Sequence, residues 1–147
     1  MKPVTVEAVV ARPPLEVFEF LDVLANHERF LDHYLVDWEF SGPRRGVGAK
    51  ARARVDAPAS QDRFEFEVTA AEAPRRIVEQ GVSSGGKRET RGTYRLEPLP
   101  DGGTRIEFEL DFLQLPRSER LIPPLTRAFA KRVNAKAMRR LAKQLDG

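Results

Sequence analysis

In residues 117–145, RSERLIPPLTRAFAKRVNAKAMRRLAKQL, an apolar residue returns at every fourth position: Leu121, Leu125, Phe129, Val133, Ala137, Leu141 and Leu145. That spacing is helical and not strand-like. Each step of four overshoots a full turn by about 40°, so the apolar stripe winds around the helix. Leu121, Leu125 and Phe129 face one way, and Met138, Leu141 and Leu145 face roughly the opposite way. Arg127, Lys131, Arg132, Lys136, Arg139 and Lys143 wind with them. A rotating apolar face is best buried by something that wraps it, and a strongly twisted sheet does so. Pro123 and Pro124 fix the start, because proline in a first turn forfeits no hydrogen bond. A helix is therefore expected from about Pro124 to Leu145, with Ser118–Ile122 as a separate turn before it. Phe129 is placed in the core, so that Phe129→Asp is expected to unfold the chain.

Upstream of this helix the period falls to two. Val4, Val6, Ala8 and Val10 read as a first strand. Pro13 and Pro14 open a helix buried through Val17, Phe18, Leu21 and Leu24, and a second short one runs through Phe30 and Leu31. Tyr34, Val36, Trp38 and Phe40 then share one face, with Leu35, Asp37 and Glu39 on the other. Further alternating runs hold Ala49–Val55, Phe64–Val68, Ile77–Val82, Thr90–Leu96 and Ile106–Phe112, separated by Gly- and Pro-bearing turns such as Asp101-Gly102. Hairpin-length connections make the six strands after the helices antiparallel, and one apolar face per strand requires a single covering layer. The terminal helix is that layer.

At 147 residues the chain is read as a single domain, 1–147, long enough to bury a core unaided. It has no cysteine, which excludes disulfides, thiolate metal sites and cysteine nucleophiles. No apolar run is long enough to span a membrane and the N-terminus lacks a signal-peptide core, so a cytoplasmic location is expected. Residues 117–147 carry nine Lys/Arg against two Asp/Glu, +7, so the rest holds −4 of the net +3. A solvated helix face explains this without a nucleic-acid partner, and none is expected.

The element order and several motifs resemble the START-like, or SRPBCC, superfamily of the helix-grip fold, in particular its polyketide cyclase/dehydrase group. The stretch Ala11–Phe18 looks like that group's proline-rich lead-in to its first helix, and Gly46-Val47-Gly48 like its glycine turn. Glu72–Arg76, Gly92–Pro98 and Gly103-Thr104-Arg105 are similar to its later turns and strands. The likeness covers nearly the whole chain. It implies an α+β fold: a seven-stranded curved antiparallel sheet wrapped around the long C-terminal helix, with two short helices after the first strand. It also implies a cavity between sheet and helix for apolar or amphipathic small molecules.

The residues themselves give partial support. Ala49, Ala51, Ala53, Gly81 and Gly92 place little volume on the sheet, while Tyr34, Trp38, Phe40, Phe64, Phe66, Phe108 and Phe112 place much. Small residues facing large ones leave a void or let the helix pack closer. Cavity residues are expected to be these aromatics with Ala51 and Phe129, plus Tyr34, Gln80, Tyr94 and Asn134 as inward polar groups. His33, near Asp32 and Asp37, has the residue types of an oriented general base, but before a strand an exposed polar residue is the commoner case. His27 and His33, six apart and without partner motifs, make a poor metal site, and neither metal nor cofactor is expected. Glu107 and Glu109 fall on a polar face, and Ser83–Lys87 reads as a hairpin turn and not a phosphate loop.

Three functions fit. The first is binding of a hydrophobic small molecule (lipid-, polyketide- or isoprenoid-like) by a monomer or weak homodimer. The second is a cyclase or aromatase acting on a polyketide-like substrate in the same cavity, although no catalytic signature is present. The third resembles the quinone-binding and ribosome-interacting relatives, through the basic helix.

Overall fold

Period-two patterning becomes seven strands: β1 (Val4–Val10), β2 (Leu35–Ser41), β3 (Lys50–Val55), β4 (Arg63–Glu72), β5 (Arg76–Ser83), β6 (Arg88–Pro98) and β7 (Thr104–Gln114). In this computed structural model, which describes residues 1–58 and 60–147, they form one antiparallel sheet in the order β1-β7-β6-β5-β4-β3-β2. Between β1 and β2 lie α1 (Pro14–Asp22), a 3₁₀ turn (Leu24–His27) and α2 (Glu28–Leu31). After β7 come α3 (Arg117–Arg120) and α4 (Pro123–Asp146). This is the helix-grip arrangement.

Register explains the two faces. Val6 pairs with Phe108, Phe108 with Tyr94, and Tyr94 with Ile77, so one row of large side chains runs across the concave face. The outer face carries cross-strand ion pairs instead, including Lys50–Glu67, Arg52–Glu65 and Arg95 with both Glu107 and Glu109. Such exposed pairs contribute little stability each, but they keep the face polar and fix which side turns inward.

Helix α4 begins at Pro123 as its prolines require. Its C-terminal half buries Asn134, Ala137, Met138, Leu141 and Leu145, and it packs chiefly on β1 and α2. Three ties to the backbone hold it. Arg12 Nε donates to the Leu145 carbonyl at 2.8 Å, Asp146 Oδ1 accepts from the Ala11 amide at 2.9 Å, and Arg127 donates to the Lys2 and Pro3 carbonyls.

Two sequence expectations are corrected. Leu125 and Phe129 are 64% and 65% exposed, and Leu121 is more exposed still. The winding stripe carries them off the sheet, so the first half of α4 overhangs and only its second half is gripped. In β2 the register shifts between Val36 and Glu39, with Asp37 in the left-handed region at φ 56° and its carboxylate accepting from Arg54 Nε at 2.9 Å. The extra residue breaks the alternation. Leu35, assigned to the outer face, is turned inward and buried, while Phe40 stays opposite the buried Ala51 but on the edge strand, where it is exposed.

Candidate functional site

Beneath the overhanging half of α4 lies a cavity of about 220 Å³. Its walls come from β4 (Phe64, Phe66), β6 (Thr90, Gly92, Tyr94), β7 (Phe108, Leu110, Phe112) and α4 (Phe129, Ala130, Val133, Asn134), with Tyr34 and Leu35 at one side. The two glycines on this wall serve the aromatics. A Cβ on Gly81 would sit 2.6 Å from Phe64 Cζ, and one on Gly92 would sit 2.8 Å from Phe108 Cε1. Each ring therefore occupies the space where a side chain would stand. Tyr94 and Phe108 pack with centroids 4.6 Å apart.

Eight of the twelve expected cavity residues meet here: Tyr34, Phe64, Phe66, Tyr94, Phe108, Phe112, Phe129 and Asn134. Four do not. Trp38 and Phe40 stack on each other at the β2 edge of the sheet, 5.8 Å between centroids, with Trp38 set edge-on to Phe66. Ala51 belongs to the packed core without lining this space, and Gln80 is exposed on the outer face of β5, where Glu67 lies opposite.

The residue that takes Gln80's place is its neighbour. Glu79 lines the cavity at 9% exposure, and its Oε2 has no hydrogen-bond partner among the described residues. Burial pushes its carboxyl up to about 8. Behind it stands His27, wholly buried, with Nδ1 3.9 Å from Glu79 Oε2. His27 Nε2–H donates to the Leu21 carbonyl at 2.7 Å, and a carbonyl only accepts, so Nδ1 is left as a bare lone pair. Burial lowers His27 to about 4 against that bond. The contact is therefore between a protonated carboxyl and a neutral imidazole, not an ion pair. The hydroxyls of Tyr34 and Tyr94 are held well above the usual phenol range, by burial first and then by Glu79, and stay protonated.

At the mouth, Arg88 gathers its neighbours. Its guanidinium donates to both Glu119 carboxylate oxygens, to Asp62 Oδ2 at 3.3 Å and to Ser83 Oγ at 2.6 Å. Glu119 belongs to α3, so this network latches α3 onto the β5–β6 hairpin. His33 sits apart, its Nε2–H donating to the Val133 carbonyl at 3.2 Å. Burial lowers it, outweighing that bond, and Arg140 and Lys136 add to the lowering. It is a strut between α2 and α4, away from the cavity wall.

Sequence reasoning missed Glu79, His27 and Arg88. A signal for the first existed: with Gly81 facing inward, a period of two puts Glu79 inward and Gln80 outward. No spacing rule links His27 to Glu79, because the turn that brings them together is tertiary. Among the described residues no cluster of His, Asp and Glu suits a metal, and no helix is long and apolar enough to cross a membrane.

Comparison with known proteins agrees with this architecture. The family model described as polyketide cyclase/dehydrase and lipid transport matches residues 1–146. The Zhui aromatase/cyclase of Streptomyces sp. R1128 superposes with TM-score 0.77 at 16% identity, over 98% of this chain and 93% of that one. A Thermus thermophilus protein, TTHA0849, gives TM-score 0.75 at 20% identity, over 98% and 97%. A Chromobacterium violaceum protein, CV1439, gives 0.73 at 17%, over 100% and 99%. At these identities the likeness is one of fold. No curated protein matches the sequence.

Proposed function

Because the chain belongs to the polyketide cyclase/dehydrase and lipid transport family, we propose that it binds a small, mainly hydrophobic molecule in the cavity beneath α4. The observation that carries the reading is a preformed space walled largely by aromatic and aliphatic side chains, with the buried carboxyl of Glu79 on its wall and the Arg88 network at its mouth. Burying an apolar ligand there contributes about 25 cal/mol per Å², and a preformed pocket loses little of it to ordering. At about 220 Å³ the space is smaller than the ~300–1,000 Å³ of pockets for drug-sized ligands, so the ligand is compact. Displacement of an environment-sensitive dye tests the reading. Wild type should bind medium-chain apolar molecules and melt at higher temperature when saturated. Ala130→Phe, on the α4 wall, should fill the space and abolish binding with the melting temperature nearly unchanged. Undiminished binding by that variant would refute the assignment to this cavity.

One observation favours a second reading, catalysis on a polyketide-like substrate in the same space. Glu79 is an inward carboxyl raised to about 8, and a general acid or base works best with its pKa near the working pH. Glu79→Gln would then retain substrate binding and lose turnover.

A further inference from the structure

The cavity wall holds one buried carboxyl without a partner and, among the described residues, no unshared cation. The Glu79 carboxyl makes no hydrogen bond among the described residues, and its Oε2 is turned toward the bare Nδ1 of His27. At 3.9 Å the two groups do not hydrogen-bond, so the hydrogen-bonding capacity of the carboxyl is unmet. Asn134 donates one Nδ2–H to the Ala130 carbonyl at 2.8 Å, and this bond fixes the amide with Oδ1 left as an acceptor. The charges on the cavity wall tell the same way. Among the described lining residues Arg88 is the one cation, and it is already shared by Asp62, Glu119 and Ser83. An anionic head group would find no free donor of positive charge and would meet carboxyls. A cationic head group would find a carboxyl without a partner, flanked by aromatic rings, and rings attract cations through their faces.

We infer that the ligand is an apolar molecule bearing a basic amine, its ammonium group seated between Glu79 and Asn134 against the rings of Tyr34, Tyr94 and Phe108. The inference rests on the proposed binding role and specifies its ligand class. Ammonium binding turns Glu79 from acid to carboxylate, so at neutral pH the complex forms with release of a proton. The titratable groups facing Glu79 are His27 from the 3₁₀ turn, Tyr34 before β2 and Tyr94 on β6, with Arg88, Asp62 and Glu119 at the mouth. Burial keeps His27 neutral and both tyrosines protonated at pH 7, so the proton comes from Glu79.

The test is calorimetric titration of the intact protein with 1-octylamine, 1-octanol and octanoate at pH 7, in two buffers of different ionisation enthalpy. The amine should bind about tenfold tighter than the alcohol, with octanoate weakest. The buffer dependence should report release of roughly one proton with the amine and none with the alcohol. Glu79→Gln, which matches the protonated side chain in shape, should lose both the preference for amine over alcohol and the proton release. Equal binding of amine and alcohol, a preference for octanoate, or an amine preference that survives Glu79→Gln would overturn the inference and leave the binding role standing. Failure of all three to bind would overturn both.

Discussion

Glu79 and His27 are buried side by side, and each is kept neutral by the cost of placing a charge where water is excluded. Their titrations act on stability in opposite directions. Glu79 is raised from 4.5 to about 8, so across that interval the folded state holds a proton that the unfolded chain has lost, and stability falls as pH rises. His27 is lowered from 6.5 to about 4. Between those values the unfolded chain holds the extra proton, so stability rises with pH. The two slopes oppose each other below pH 6.5, and Glu79 alone acts from there to about 8. Urea unfolding should show wild type losing stability over that upper window, at most about 1.4 kcal/mol per pH unit. Glu79→Gln should be flat there. Parallel curves for the two proteins would mean that Glu79 titrates normally. The strand that carries Glu79 was legible in the sequence, and so was the inward position of Gly81. What hid the carboxyl was the habit of reading a charged residue as an outward one, which holds unless a cavity lies beneath it.

At the scale of elements, the C-terminal helix was legible in position and length, since its prolines and four-residue spacing fix both. Its burial was only half legible. The stripe that winds around α4 is continuous in sequence, but the sheet covers only the side that carries Met138, Leu141 and Leu145. Phe129→Asp should therefore fold, with stability within about 0.5 kcal/mol of wild type. A collapse of the urea midpoint would show that Phe129 is packed after all. Helix α3 depends on a different kind of contact. Arg88 joins it to the hairpin through a network less than a third exposed. Arg88→Ala strands Asp62 and Glu119 as unpaired carboxylates, and should cost about 2 kcal/mol. The same variant should release bound ligand faster, because α3 borders the cavity mouth. An unchanged dissociation rate would show that the latch serves folding alone. No spacing rule announces this latch, because Arg88 follows one turn and Glu119 precedes another, 31 positions apart.

For the whole molecule, the helix-grip topology followed from the order of periodicities, while the details that depend on parity did not. A single inserted residue at Asp37 turned Leu35 into the candidate site, while Trp38 and Phe40 stack at the sheet edge outside it. Charge is also divided at this scale: a basic α4 outside, and a cavity wall with more carboxyls than cations inside. Part of that basic surface is structural, since Arg127 holds the N-terminal segment and Arg140 pairs with Asp32. On the proposed reading, ligand recognition belongs to the interior and not to the helix surface, nor to the outer groove where Gln80 and Phe40 lie. Amide chemical-shift mapping during titration with 1-octylamine tests this most directly. Shifts concentrated at Gly81, Gly92, Tyr94 and Asn134 are the predicted result. Shifts confined to Lys50, Arg52, Gln80 and Val82 on the outer face, or the absence of any, would contradict it.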